Sequence, residues 1–325
     1  MSAFRTDPAI DWMRARVDEG ALPVAVIGLA DSSGVIDIVA HGTDGSRVAQ
    51  PDDRFCLYSV TKPLSGLTAM RAVERGLLST DSRLGEAMPG IPAADLTLGQ
   101  LLSHTSGLTD TVLSGATTLR EALRVAPVEY IPGTARRYNN LAWEGIAALT
   151  EQATGRPFAE QFAQMAAAAG ASGLSFDDEG AHAVHGADEA GHDHAAMMAQ
   201  HHPAAGAVAS VADLLAIGQS LLSGDGAIVS PATLTAMTRS RTDGIYIINP
   251  DPEKVHENFG LAFNLPRRSR LLDHSVFGHE GWTSTQFWVS PASGRVLVLL
   301  TNRFATWDPP YGLVWDELLN AAFAA

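Results

Sequence analysis

The spacing of apolar positions changes twice along this chain. Asp7-Pro8 reads as an N-cap followed by proline at the first helical position, and predicts a helix to about Val17. LPVAVIGLADSSGVIDIVAHG then carries two apolar, β-branched runs around a turn at Asp31 to Gly34, the pattern of a hairpin. A second turn, GTDGSR, follows. From Ser59 to about residue 240 the spacing becomes helical. SVTKPLSGLTAMRAVERG ends on Gly76, and TLGQLLSH, NNLAWEGIAALTEQATG, PFAEQFAQMAAAAG and SVADLLAIGQSLLSG each read as a helix. Several of these begin with Ser, Thr or Asn and end on Gly, as helix caps do. After residue 257 short apolar runs return: NFGLAFNL, LLDHSVFGHEG, STQFWVSP and RVLVLLTN, with a Pro-Ala-Ser-Gly turn at 291–294. YGLVWDELLNAAFAA closes the chain as an amphipathic helix.

Strands at both ends of a chain can share one antiparallel sheet. The order therefore predicts an α+β fold, in which that sheet is flanked by N- and C-terminal helices and carries a large inserted all-helical domain. Residues 1–58 and 241–325 would make the discontinuous sheet domain, residues 59–240 the mainly helical one, with the active site between them. No internal repeat interrupts this scheme.

Composition narrows the function. Apolar residues make up 46% of the 325, enough for a sizeable core. The formal net charge of -14 repels phosphate backbones and anionic bilayers, so neither nucleic acid nor membrane is an expected partner. Cys56 is the single cysteine, which excludes an intrachain disulfide and a cysteine metal site. The first twenty residues are polar and lack the apolar core of a signal peptide, and no run of 18 apolar residues occurs. A soluble, cytoplasmic protein is expected. The pattern sets no oligomeric state.

Chemistry enters at FCLYSVTKPLSG, residues 55–66. The chain has two lysines, Lys62 and Lys254, and Lys62 follows Ser59 by one helical turn. A serine hydroxyl is a weak nucleophile until a base takes its proton, and a neutral lysine can be that base. Free lysine titrates near 10.4, so burial or nearby positive charge must depress it. Positions i and i+3 share a helix face, and a helix start offers free N–H groups to an oxyanion. Alone, the tetrad reads equally well as a capped helix start.

Two further stretches change that weighing. YNN at Tyr138 to Asn140 stands just before a helix, and GHEGWTSTQFWVSP begins at Gly278 on a late strand. With SVTK and LLSHTSGL (residues 101–108), they resemble the serine β-lactamase-like family of class C β-lactamases, DD-peptidases and family VIII carboxylesterases. Ser-x-x-Lys, Tyr-x-Asn and a Lys/His-x-Gly triplet occur here in that family's order, from about residue 20 to 305. The resemblance implies Ser59 as acylated nucleophile, Lys62 as its activator and Tyr138 as proton shuttle. It implies Asn140 as the residue orienting Lys62 and substrate, and His279 and Gly281 as the outer positions of the third triplet. The oxyanion hole would be the backbone N–H groups of Ser59 and Trp282. No cofactor is implied. A tyrosine is a poor base unless cations lower its pKa; Lys62, with a protonated His279, would do so, and the two would titrate as a coupled unit.

The third triplet reads His-Glu-Gly rather than Lys-Thr-Gly. A histidine is mostly neutral at pH 7 and Glu280 adds negative charge, which disfavours an anionic β-lactam or a peptide C-terminus. A small ester is then the expected substrate. Amide or lactam hydrolysis and acyl transfer are alternatives for the same site, and a non-catalytic binding protein on this scaffold is a further one. No Gly-x-Ser-x-Gly elbow is present. Residues 182–202 hold six of the eleven histidines without a repeating metal-ligand spacing. They read as a variable loop or a lid over the site, from which its histidines, Met197 and Met198 could contact substrate. Trp282, Phe287 and Trp288 are pocket candidates, although some must face the core from a strand. His104 and Cys56 read as structural.

Overall fold

The computed structural model describes residues 7–111, 113, 117–248, 257–266, 274–304 and 315–324. Lys254 and the first residues of the LLDHSVFGHEG and YGLVWDELLNAAFAA runs lie outside them. Eight strands form one antiparallel sheet: β1 (Val24–Asp31), β2 (Gly34–Asp44), β3 (Arg47–Val48), β4 (Glu257–Phe259), β5 (Asn264–Pro266), β6 (Phe277–Glu280), β7 (Gln286–Ser290) and β8 (Arg295–Thr301). Their order is β3-β2-β1-β8-β7-β6-β5-β4, so the first and last parts of the chain meet where β1 pairs with β8.

Period-two alternation makes this sheet two-sided. Val24, Val26 and Ala30 of β1 and Val296, Val298 and Leu300 of β8 face one core. Ala25, Ile27 and Leu29, with Leu297 and Leu299, face another. Helices α1 (Pro8–Asp18) and, at the C-terminus, Trp315–Phe323 close the second core through Ile10, Met13, Trp315, Leu318 and Leu319. Asp7 caps α1 by accepting from the Ala9 N–H at 3.0 Å, as its sequence predicts.

The longer helices of the central stretch are α2 (Thr61–Glu74), α3 (Ala142–Thr154), α4 (Phe158–Ala168) and α5 (Val211–Ser223). Helix α5 lies against the first core face, so close that a Cβ at Gly28 would stand 2.3 Å from Val211 Cγ1. Among the described residues no helix is long and apolar enough to cross a membrane.

Three expectations change in detail. Ser59 sits in a 3-10 turn, Tyr58–Val60, and the α-helix starts two residues later at Thr61. NFGLAFNL is a hairpin, β4 and β5, because Gly260 donates to the Phe263 carbonyl at 2.9 Å and Ala262 takes a left-handed φ of 71°. The helical stretch also contains two-residue strands: Val208–Ala209 pairs with Phe55–Cys56, and Ala135–Arg136 with Tyr246–Ile247.

Candidate active site

The nucleophile turn is fixed from both sides. The Phe55–Cys56 strand leads into it, and Leu57 N–H donates to the Ala207 carbonyl at 2.9 Å. Tyr58 then adopts a left-handed φ of 46°, a strained state for a non-glycine that costs about 1–3 kcal/mol and persists only where surroundings enforce it. The enforcing contacts are its hydroxyl on His194 Nδ1 at 2.8 Å and its ring on His192, His194 and Phe304. On the other side, Thr283 and Thr285 hydroxyls donate to the Cys56 and Leu57 carbonyls at 2.9 Å each. Gly281 is needed for that approach, since a Cβ there would lie 2.2 Å from Thr285 Oγ1 and 2.3 Å from the Leu57 oxygen. Trp282 lies in the turn so clamped, closed by Gly281 N–H to Thr285 O (2.8 Å) and Ser284 N–H to Gly281 O (2.9 Å).

Four of the residues singled out from sequence converge directly. Lys62 Nζ is 3.0 Å from Ser59 Oγ, 2.9 Å from Asn140 Oδ1 and 3.2 Å from the Ala204 carbonyl oxygen. Tyr138 OH donates to Ser59 Oγ at 2.8 Å. Lys62 is fully buried and Ser59 nearly so. The Lys62 amine also stands 4.7 Å from the centre of the Tyr138 ring. A neutral amine has two N–H groups and one lone pair. Lys62 Nζ donates at all three contacts, as an ammonium does; once neutral, the amine can keep its two N–H groups on Asn140 and Ala204 and turn its lone pair to the Ser59 hydroxyl.

The YNN segment divides its work. Asn139 caps α3, its Oδ1 accepting from Ala142 N–H at 2.7 Å and its amide donating to the Leu108 and Thr109 carbonyls. Asn140 turns to Lys62 and is held by Asp110, which accepts from the Asn140 N–H at 3.0 Å and from its amide at 3.4 Å. Burial pushes the Asp110 carboxyl up, and the N–H groups of Asn140, Thr111 and Leu141 oppose that shift. The Tyr138 ring stacks on His104 at 4.5 Å, and His104 Nδ1 accepts from Asn139 N–H.

Tyr138 overturns the titration expected from the sequence. Its phenol is held well above the usual range, first by burial, although the Ser59 hydrogen bond pulls down; the carboxylates of Glu257, Asp110 and Glu280 push further up. It rests as a neutral donor, not as a phenolate. His279 is buried with its ring 6.1 Å from that of Tyr138. Its Nδ1 lies 2.6 Å from the Glu280 carbonyl, which can only accept, so that nitrogen carries the proton.

The histidine-rich segment packs beside the nucleophile. His192 meets Trp282 edge-on at 5.8 Å and stacks on Phe304. With Tyr58 these rings form an aromatic wall, and Trp282, 37% exposed, is its open member. His182 and His185 pair with Asp53 and Asp44 at 2.8 Å each and pin the segment's start to the sheet edge. Phe287 and Trp288 are buried in the two cores, and Met197 and Met198 in the first. Asp110 and Ala204 were not singled out, and His202 was named only as part of the histidine-rich segment, because their parts depend on approaches between segments distant in sequence.

The sequence pattern of the Beta-lactamase family matches residues 9–319. This chain belongs to the beta-lactamase family. A curated member of similar sequence is Esterase EstB of Burkholderia gladioli, 32% identical over 143 residues, which is 36% of this chain and 36% of the esterase. The chain thus aligns with about a third of that relative's length. Among solved beta-lactamase-like structures, "EstCE1, a hydrolase with promiscuous acyltransferase activity" superposes with a TM-score of 0.78 at 21% identity, covering 97% of both chains. A family VIII carboxylesterase superposes with a TM-score of 0.76 at 20% identity, over 99% of this chain and 98% of the other. At such identities the likeness is one of fold, an α+β sheet with packed helices.

Proposed function

We propose that this protein is a serine esterase that hydrolyses small carboxylic esters through an acyl-enzyme on Ser59. The observation that carries the reading is the set of contacts at Lys62: Asn140 Oδ1 and Ala204 O accept from its N–H groups, and Ser59 Oγ lies 3.0 Å away, within reach of proton transfer to the neutral amine. As Oγ attacks the ester carbon, its proton passes to Lys62. The carbonyl oxygen gains charge beside the backbone N–H groups of Ser59 and Trp282. Tyr138 gives its phenol proton to the departing alkoxide and regains one from Lys62, so an alcohol leaves and an ester of Ser59 remains. Water then attacks that ester with the same groups in reverse roles, releasing the acid and restoring Ser59.

The preference for uncharged esters follows from the surroundings of Tyr138. The first residue of the third triplet is a histidine tied to its own strand, and three carboxylates face the phenol. That environment repels a substrate carboxylate. Acyl transfer to an alcohol is a second reading, for which the exposed Trp282 ring offers an apolar surface to an acceptor. EstCE1 is named for such an activity.

The test is turnover of p-nitrophenyl butyrate, nitrocefin and a D-alanine amide, with intact-mass detection of the acylated protein. The butyrate ester is expected to turn over and to load one acyl group, and Ser59→Ala to abolish both. Retained ester turnover in Ser59→Ala overturns the proposal, and faster attack on nitrocefin or the amide reverses the substrate preference. Adding butanol or an amine reports acyl transfer as a new ester or amide product.

A further inference from the structure

One of the three partners of Lys62 is a backbone carbonyl that belongs to no helix or strand. Ala204 lies in the turn between the short helix His194–Ala199 and the strand Val208–Ala209. This turn is bound to one face of α2. Ser65 Oγ donates to Pro203 O at 2.6 Å, Lys62 to Ala204 O, and Ala207 N–H to Thr61 Oγ1 at 3.1 Å. What fixes the turn from the other side is His202. Its carbonyl accepts from the Ala205 and Gly206 N–H groups at 3.1 and 2.8 Å. Its ring Nδ1 accepts from the Ala204 N–H at 3.1 Å. Both peptide units flanking Ala204 therefore hang on this one residue.

We propose that His202 is a positioning residue for the acyl-transfer site: a buried imidazole whose Nδ1 holds the Ala204 peptide and aims the Ala204 carbonyl at the Lys62 amine. The inference rests on reading Ser59 and Lys62 as the acyl-transfer pair. With Nδ1 accepting, the proton sits on Nε2, which lies 3.5 Å from Glu144 Oε1, too far and poorly aligned for a hydrogen bond. The other oxygen of Glu144 accepts from Arg120 Nε at 2.6 Å. Glu144 lies in the first turn of α3, four residues after Asn140, the other acceptor of the Lys62 amine.

The arrangement requires a neutral ring. A proton on Nδ1 would face the Ala204 N–H and break the clamp. Burial, with Lys62 and Arg120 nearby, holds the His202 pKa well below that of free histidine. The ring is completely buried, with no route by which it could touch substrate, so its effect passes through Lys62.

Two substitutions separate positioning from packing. The Oδ1 of asparagine can accept from the N–H two residues on, so His202→Asn keeps the Ala204 clamp and loses the ring. His202→Leu loses both. With p-nitrophenyl butyrate, His202→Leu is expected to lower kcat at least tenfold with KM within twofold, and to slow labelling of Ser59 by a fluorophosphonate by the same factor. His202→Asn is expected to hold kcat within threefold of the parent although its Tm falls as well. His202→Ala replaces the leucine variant if leucine does not accommodate. Full kcat in His202→Leu, or an asparagine variant as slow as the leucine one, overturns the proposal. If Ser59→Ala is inactive while His202→Leu is unimpaired, this inference alone fails; if Ser59→Ala stays active, the site reading fails first.

Discussion

Tyr138 shows how a residue's role depends on neighbours its sequence context does not name. The Tyr-x-Asn spacing is legible in YNN, and so is its place at a helix start. The direction of its titration is not, because burial in the folded protein sets it first, and Glu257 and Glu280 add to it from strands more than a hundred residues away. A phenol held above its ordinary pKa stays protonated, so no phenolate is present to deprotonate Ser59, and its proton is in place for the leaving group. Tyr138→Phe keeps the ring on His104 and removes the proton. We expect kcat to fall by roughly 10²- to 10³-fold with little change in KM, the range for loss of one general acid–base group. Stopped-flow release of p-nitrophenol would show the loss in the acylation step; an unchanged burst rate would remove Tyr138 from the chemistry. Asp110→Asn is expected to act more gently. It keeps an acceptor for the Asn140 N–H but weakens the hold on the Asn140 side chain, and kcat should drop by about tenfold, the scale of one hydrogen bond. Steady-state kinetics beside an unchanged Tm would check it.

At the scale of elements, the site is a junction between the 3-10 turn at Tyr58–Val60, the end of β6 and the start of α3. The longer elements were legible because periodicity needs several residues to register: α1, the β1–β2 hairpin, α2, α3, α5 and the strands β7 and β8 all announce themselves. The two-residue strand Phe55–Cys56 carries no period, yet it sets the direction in which the chain enters the nucleophile turn. The same holds for the hydroxyls of Thr283 and Thr285. STQFWVSP reads as a strand, but nothing in it says that two threonines beside its start bond the backbone of residues 56 and 57. Gly281 makes this junction testable. Adding a Cβ there forces it within 2.3 Å of the Leu57 oxygen, and that neighbour is backbone, which yields only if the turn moves. Gly281→Ala is expected to cost about 1–3 kcal/mol in denaturant unfolding and to lower kcat more than tenfold. A variant that melts like the parent and keeps full activity would mean that β6 and the nucleophile turn are not rigidly coupled.

For the molecule as a whole, the sheet drawn from both ends of the chain was legible, while the fate of the histidine-rich segment was not. Its spacing fits no metal site and no amphipathic helix, and only the fold gives each ring a partner: Asp53, Asp44, Trp282, Tyr58, Phe176 and the Ala204 peptide. Burial lowers the pKa of His192, His194 and His202 below that of free histidine. Their linkage to stability therefore has a fixed sign. Below about pH 6.5 the unfolded chain takes up protons that these buried rings refuse, so stability falls as the solution is acidified. Above that pH the rings are neutral in both states and the contribution is complete. Asp110 and Glu144, whose carboxyls burial pushes up, act in the opposite sense, with a window that opens upward from an ordinary carboxylate pKa of about 4. Comparing one substitution across pH isolates the histidine part. His202 is faced by Lys62, Arg120 and Glu144, all retained in His202→Asn, which removes only the titrating ring. Urea unfolding between pH 7 and 5.5 should show the parent losing stability more steeply than His202→Asn, by up to about 1.4 kcal/mol per pH unit, the limit for one proton. Parallel slopes would show that His202 takes up its proton in the folded protein, and a ring that protonates there could not keep the Ala204 carbonyl on Lys62.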